Sequence, residues 1–251
     1  MMEKVSHKDM LEAGVHFGHL KRKWNPKMLP YIFAERKGIH LIDLNKTSES
    51  LEDAAHAVRQ IVKSGRKVLF VATKKQANEV VKTEAQRANM PYVTERWLGG
   101  MLTNFATIRR SVKKMESIRK LLDDKSTTSL TKKERLLLDR QLQKLSTVLG
   151  GIENLNRVPA AVYVVDITYE DIAIKEAKKL GIRTLGMVDT NSNPNSIDFP
   201  IPSNDDAANS IQLITSYLAD AAIAGSKDRA QMKEESAKSE EKAPSEEKAA
   251  E

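Results

Sequence analysis

The sequence predicts an α/β protein, a doubly wound parallel sheet of about five strands interrupted by an inserted antiparallel coiled-coil helical hairpin. Three observations predict it. Short, nearly continuous apolar runs alternate with amphipathic helical stretches, the pattern of strands covered on both faces and joined by right-handed crossover helices. Two near-copies of one motif, Leu98-Gly99-Gly100 and Leu149-Gly150-Gly151, bracket residues 105–149. Between them apolar residues recur at spacings of three and four, as in a helical seam.

The apolar runs expected as strands are 39–43, 67–72, 161–166 and 184–189, with a weaker one at 92–94. Helices are expected in the gaps. Residues 50–64 place Leu51, Ala54, Ala55, Val58, Ile61 and Val62 on one face, and Gly65 is the stop. Residues 76–88 and 169–180 follow later strands, the second ended by Gly181. A last helix, 205–224, is opened by Asn204 or Asp205 and closed by Gly225. The expected organisation is a globular domain of 1–104 and 150–225, with an N-terminal extension over 1–38, a hairpin over 105–149 and a tail over 226–251. That tail is Lys, Glu, Ala and Ser with almost no apolar residue, so it is expected to stay disordered.

The hairpin has its own logic. Thr103 or Asn104 caps its first helix, in which Ile108, Val112, Met115 and Leu122 recur. A polar turn covers 123–129, and Thr131-Lys132-Lys133-Glu134 reads as a capping box. Leu138, Leu142, Leu145 and Leu149 form the opposing seam. Arg109-Arg110 and Lys113-Lys114 fall one turn apart and make a basic stripe at the root of the first helix. The competing reading is a stabilising flap whose cations are only its solvated surface.

Charge separates partner classes. The chain has 41 Lys and Arg against 34 Asp and Glu, net +7. Residues 105–149 alone carry twelve basic and five acidic residues, also net +7, whereas 150–225 carry five and ten, net −5. A field polarised in this way steers a polyanion to one side. With no cysteine there is no disulfide, thiolate nucleophile or cysteine-ligated zinc, which fits a reducing compartment. No apolar run nears the roughly 20 residues that span a bilayer, and residues 1–14 lack a signal-peptide centre. No membrane partner is expected.

An enzyme of this fold would use the crevice beyond the strand ends, near Asp43, Asn45, Thr73-Lys74-Lys75, Asp166 and Asp189-Thr190-Asn191. A nucleotide- or phosphate-binding enzyme is therefore the alternative function. Yet neither phosphate-cradling glycine motif occurs, and no G-x-S-x-G elbow. His16 and His19 stand three apart and could share a divalent metal with Asp189 or the Asp205-Asp206 pair; packed or phosphate-facing histidines are the alternative. The segment Lys21-Arg22-Lys23-Trp24-Asn25-Pro26-Lys27 suits an extended stretch that tracks phosphates and stacks Trp24 on a base, or else a basic loop with Trp24 tucked into the core.

Six motifs in order carry a resemblance. They are Ala13-Gly14-Val15-His16-Phe17-Gly18-His19, Trp24-Asn25-Pro26-Lys27-Met28, Phe70-Val71-Ala72-Thr73-Lys74, Arg96-Trp97-Leu98-Gly99-Gly100-Met101-Leu102-Thr103-Asn104, Ala173-Ile174-Lys175-Glu176-Ala177 and Val188-Asp189-Thr190-Asn191-Ser192-Asn193-Pro194. In register from about residue 9 to 224, the chain resembles bacterial small-subunit ribosomal protein two, the S-two family. The resemblance implies a flavodoxin-like domain with an inserted coiled-coil hairpin and no enzymatic activity, hence no catalytic residues. It implies a cytoplasmic ribosomal protein between head and body of the small subunit, bound to 16S ribosomal RNA, helping to recruit ribosomal protein S-one, and not a homo-oligomer. It implies no required cofactor, although family members can hold zinc near the positions of His19, Asp189 and Asp205. The RNA-facing residues it implies are Lys21, Arg22, Lys23, Trp24, Asn25, Lys27, Lys74, Lys75, Arg96, Arg109, Arg110, Lys113 and Lys114.

Overall fold

The structure, a computed structural model, describes residues 5–123 and 131–242. From 124 on, the expected polar turn lies outside the described residues, as do 243–251 of the tail. After a short helix α1 (His7–Glu12), strands β1 (Phe17–Leu20), β2 (Ile32–Arg36) and β3 (Ile39–Ile42) form a small antiparallel sheet in the order β1-β3-β2. This corrects one expectation. The run 39–43 is not a member of the parallel sheet. Its burial alternates, with His40 and Ile42 inward, as in a strand covered on one face only.

Helix α2 (Leu44–Lys63) follows at once, earlier than residue 50, because the Asp43 carboxylate accepts from the Asn45 N–H at 3.0 Å and caps it. Gly65 ends it with φ 83°. The chain then alternates as expected. The elements are β4 (Val68–Val71), α3 (Lys75–Arg87), β5 (Tyr92–Val93), α4 (Phe105–Asp123), α5 (Lys132–Leu149), β6 (Ala161–Val164), α6 (Asp171–Lys179), β7 (Arg183–Val188), β8 (Phe199–Pro202) and α7 (Ala208–Lys242). The five parallel strands order as β5-β4-β6-β7-β8, the doubly wound order in which the chain reverses direction between β4 and β6. The fifth strand is β8, not 39–43. Pro200 and Pro202 hid it from the sequence pattern, but proline is tolerated on an edge strand, and β8 is the edge.

Side-chain alternation divides the core. Val68, Phe70, Ala72, Tyr163 and Val165 pack with α2, α3 and α7 on one face. Leu69, Val71, Val162 and Val164 pack on the other with α6, Met28, Trp97 and the base of α4. Helices α4 and α5 lie against each other, and the Arg135 guanidinium donates to the Leu122 carbonyl at 3.4 Å near the tip. The capping box at Thr131 and Glu134 is present as expected.

The C-terminal helix differs most from expectation. Neither Gly225 nor residue 226 interrupts it, so residues 226–242, read from sequence as disordered, continue α7. Alanine, glutamate and lysine are strong helix formers. Gly225 is a contact point and not a stop. A Cβ there would fall 2.5 Å from the Arg59 carbonyl oxygen of α2. Beyond it, Arg59 holds Asp228 at 2.7 and 3.1 Å.

Candidate nucleic-acid interface and metal cluster

The hairpin root is anchored by one buried carboxylate. Glu176, on α6, accepts from Trp97 Nε1 at 3.2 Å, from the backbone N–H groups of Gly100 at 2.7 Å, Leu102 at 3.0 Å and Thr103 at 3.0 Å, and from Thr103 Oγ1 at 3.1 Å. Burial opposes its charge, but the three backbone donors and the indole outweigh that and hold its pKa below the usual carboxylate value. The loop between β5 and α4 is thus folded around an anion that the protein itself supplies. On the return path Gly151 passes so close to β5 that a Cβ would lie 2.2 Å from the Tyr92 carbonyl oxygen. Gly151→Ala is therefore expected to lower the melting temperature by several degrees, for a cost of about 1–3 kcal/mol; a melt within one degree of the parent would refute that contact.

The expected RNA-facing residues divide into two groups. Arg22, Lys23, Lys27, Lys75, Arg96, Arg110, Lys113 and Lys114 are exposed, and among the described residues no carboxylate pairs with them. Lys21 is exposed but reaches Glu35 at 2.7 Å. Met28, Trp97, Leu102, Ile108 and Val112 share one buried cluster, which fastens the segment 21–27, the loop at Arg96 and the α4 root to the same face of the sheet.

Three expected contacts are spent internally. The Lys74 side chain is only 15 % exposed and lies 2.7 Å from Asp206, 2.9 Å from Asp205 and 3.3 Å from Asp166, so the expectation that it meets RNA is not met by its geometry. Burial works against its charge, but the bonds to Asp206 and Asp205 prevail and raise its pKa. Arg109 donates to the Glu153 carbonyl and to Asn156 Oδ1, each at 2.8 Å. Asn25 caps the turn at Pro26–Tyr31 through the Lys27 N–H at 3.0 Å. Trp24 is half-buried with its ring 5.4 Å from that of His40, tilted by 48°, nearer the tucked reading than the stacking one.

At the carboxyl ends of the strands, His19, Asp189, Asp205 and Asp206 bring one ligand atom each within 4.8 Å of one another. His19 Nδ1 lies 2.7 Å from Asp189 Oδ2, and Nε2 lies 3.5 Å from Asp206 Oδ2. Asp189 and Thr190 hold the turn, with Thr190 Oγ1 accepting from the His19 N–H at 2.9 Å. The bond to Asp189 raises the His19 pKa against the opposing effect of burial. Asp205 is fully buried, and burial together with Asp166 and Asp189 pushes its pKa up to about 7. Its Oδ1 meets Lys74, whereas Oδ2 has no partner. An unsatisfied buried carboxylate oxygen on Asp205, within a group of one imidazole and three carboxylates, fits a divalent cation of the zinc type, which accepts nitrogen and oxygen donors without cysteine. Asp206 is a fourth candidate donor, and its adjacency to Asp205 was the signal. His16 is not a member. Its ring lies against Phe17, 4.0 Å between centroids, and it lines a separate cleft with Leu11 and Phe33. Spacing of three does not unite the two rings because the chain is already extended at β1, where near neighbours turn to opposite faces.

The crevice at the switch point is closed to an enzyme's anionic ligand. Where a phosphate would meet the start of α3, the Glu170 carboxylate accepts from the Thr73 N–H at 2.7 Å and from the Thr73 hydroxyl. Asp166 adds further negative charge beside it. The fold and this site define a class: a doubly wound domain whose ligand crevice is filled by its own carboxylates and which carries a group of free cations around an inserted arm.

Comparison with known proteins agrees with that class. The family model described as ribosomal protein S2 matches residues 10–225. Among similar proteins, the small ribosomal subunit protein uS2 of Cytophaga hutchinsonii is 59% identical over 236 residues, 94% of this chain and 93% of the relative. That of Flavobacterium johnsoniae is 56% identical over 237 residues, covering 94% and 93%. That of Bacteroides thetaiotaomicron is 55% identical over 228 residues, covering 91% and 82%. The chain belongs to the ribosomal protein S2 family and is a structural protein, not an enzyme.

Proposed function

We propose that this chain is a structural constituent of the small ribosomal subunit in the cytoplasm and binds 16S ribosomal RNA between head and body. The observation that carries the reading is the set of exposed cations Arg110, Lys113 and Lys114 at the α4 root, unpaired among the described residues, on a helix whose base packs with Trp97 and Met28 in one buried cluster. The names of the relatives support it. Such a surface neutralises phosphates and releases counterions, so affinity falls steeply with salt. It meets the RNA backbone and its shape more than base edges. Apart from its first residues, through Arg157, the acidic portion 150–225 faces away from RNA and is free for protein partners, ribosomal protein S-one among them. The paired helices α4 and α5, with their leucine seam, are read as a coiled-coil arm that carries the basic root.

The test is the triple variant Arg110→Ala, Lys113→Ala, Lys114→Ala. Its incorporation into small subunits is expected to drop, with a salt slope shallower by about two to three. Unchanged occupancy together with an unchanged slope would sink the assignment. Arg109 is left out because its two bonds make it part of the scaffold.

We also propose that His19, Asp189 and Asp205, with Asp206, hold a zinc ion that ties β1 to the loops after β7 and β8. Elemental analysis of the purified chain is expected to find about one zinc per molecule, lost in His19→Ala. Equal metal content in parent and variant would refute the site.

A further inference from the structure

A second basic surface lies at the opposite end of the sheet. Arg66 and Lys67 lead into β4, Arg157 stands in the loop that leads into β6, and Arg229 reaches the same place from α7. This is the amino-terminal edge of the parallel strands, remote from the cluster at their carboxyl ends.

Gly65 makes the meeting of these residues sterically allowed. A Cβ there would fall 2.5 Å from the Arg229 guanidinium carbon, so the guanidinium packs directly on the glycine backbone. The position of Arg229 is set one residue earlier, where Asp228 is held by Arg59 at 2.7 Å. Two adjoining clefts of about 240 and 490 Å³ share Lys67 and Asn154. The larger is walled by Gly65, Arg66, Arg157 and Val158. The smaller runs on past Gln86 and Asn89 to Gly151, in the turn that follows α5.

The charges in this trough are uncompensated. Arg66, Arg157 and Arg229 are exposed and make no ion pair among the described residues, and the Lys67 ammonium donates only to the Asn89 carbonyl, at 2.6 Å. Burial, and then the Arg229 charge, lower the Lys67 pKa. The nearby acids are already engaged, Asp228 by Arg59 and Glu153 by Arg119. Four cations gathered without a carboxylate repel one another until an anion arrives. Several cations lining one open trough together with the neutral amide of Asn154 suit the phosphates and ribose hydroxyls of a nucleic-acid backbone.

We propose that this trough binds the phosphodiester backbone of RNA, a contact separate from the hairpin root and additional to it. It rests on the RNA-binding reading above. Arg229 lies past residue 225, where the family match ends, so the extension of α7 supplies part of the site.

The experiment uses the full chain and small subunits washed free of it, with affinity measured across a KCl series. Arg66→Gln, Arg157→Gln, Arg229→Gln is expected to bind at least about tenfold more weakly near 0.1 M salt, with a slope shallower by about two to three. Its melting temperature is expected to match the parent, since all three side chains are exposed. The hairpin-root triple variant is run beside it. If only the root variant loses affinity, the trough is overturned and the RNA reading stands. If neither loses affinity, both are overturned. A second measurement names the partner. The chain has no cysteine, so Arg157→Cys offers one attachment point for a benzophenone. Cross-links to RNA support the trough, and cross-links chiefly to protein overturn it in favour of an acidic protein partner.

Discussion

Glu176→Ala is expected to destabilise the protein by about 3–5 kcal/mol. The variant removes the acceptor of five bonds at once, from Trp97, Gly100, Leu102 and the backbone and hydroxyl of Thr103. Leu102 and Trp97 are buried, so their N–H groups find no water in exchange, and each buried donor left alone costs about 1–3 kcal/mol. Urea unfolding measures the loss, and amide exchange locates it. Protection is expected to fall first over residues 97–104, freeing the α4 root while the strands of the sheet remain protected. A loss below about 1 kcal/mol would show that the loop holds itself without the carboxylate.

The same residue sets a pH dependence. Its pKa in the folded state is held below the ordinary value of about 4.3. Its ionised form therefore adds stability above that value, and the addition disappears as pH falls through the lower, folded value. Glu176→Gln lacks this increment. The stability gap between parent and Glu176→Gln is expected to be constant near neutrality and to close below about pH 4. A gap that persists unchanged at pH 3 would contradict the sign.

Gly225→Ala should destabilise as well, by about 2–3 kcal/mol, although helix propensity alone argues the opposite. Alanine inside an exposed helix is favoured over glycine by about 1 kcal/mol. At Gly225 the new Cβ would stand 2.5 Å from the Arg59 carbonyl oxygen and 3.1 Å from Val62 Cβ. The obstacle is backbone, which cannot rotate aside, so α7 must lift from α2. Leu218, Ala221 and Ala222 of α7 are buried in the same cluster as Val58 and Val62, so the lift opens the core on that side. A thermal or urea melt decides the sign: a more stable variant would mean that the close approach is unimportant.

Much of the sheet was readable beforehand because strands buried on both faces have no polar alternation to confuse them. β4 and β6 lie within their expected runs, and β7 begins one residue before its own, for that reason. β8 was missed because Phe199-Pro200-Ile201-Pro202 looks like a loop, and only its place at the sheet edge makes its two prolines harmless. The run 39–42 was assigned to the wrong sheet because strand propensity does not say which neighbour supplies the hydrogen bonds. The candidate metal donors were legible as residue types, since His19 and Asp189 stand in the motifs quoted above and Asp205 adjoins a second carboxylate at the start of the last expected helix. Their competitor Lys74 was not, because a lysine at a strand end looks the same whether it meets phosphate or three carboxylates.

Composition and periodicity were enough to settle the alternation of strands and helices, the basic arm and its capping box, because these follow from local propensity, burial on both faces and the sign of neighbouring charges. Three-dimensional packing alone decided which cations remain free and which are consumed, that Glu176 folds the hairpin root around itself, and that Gly225 joins two helices where a glycine so often ends one. These depend on groups far apart in the chain, 76 residues between Gly100 and Glu176 and 131 between Lys74 and Asp205. An ion pair or a close backbone approach is set by distance in space, which sequence spacing does not encode.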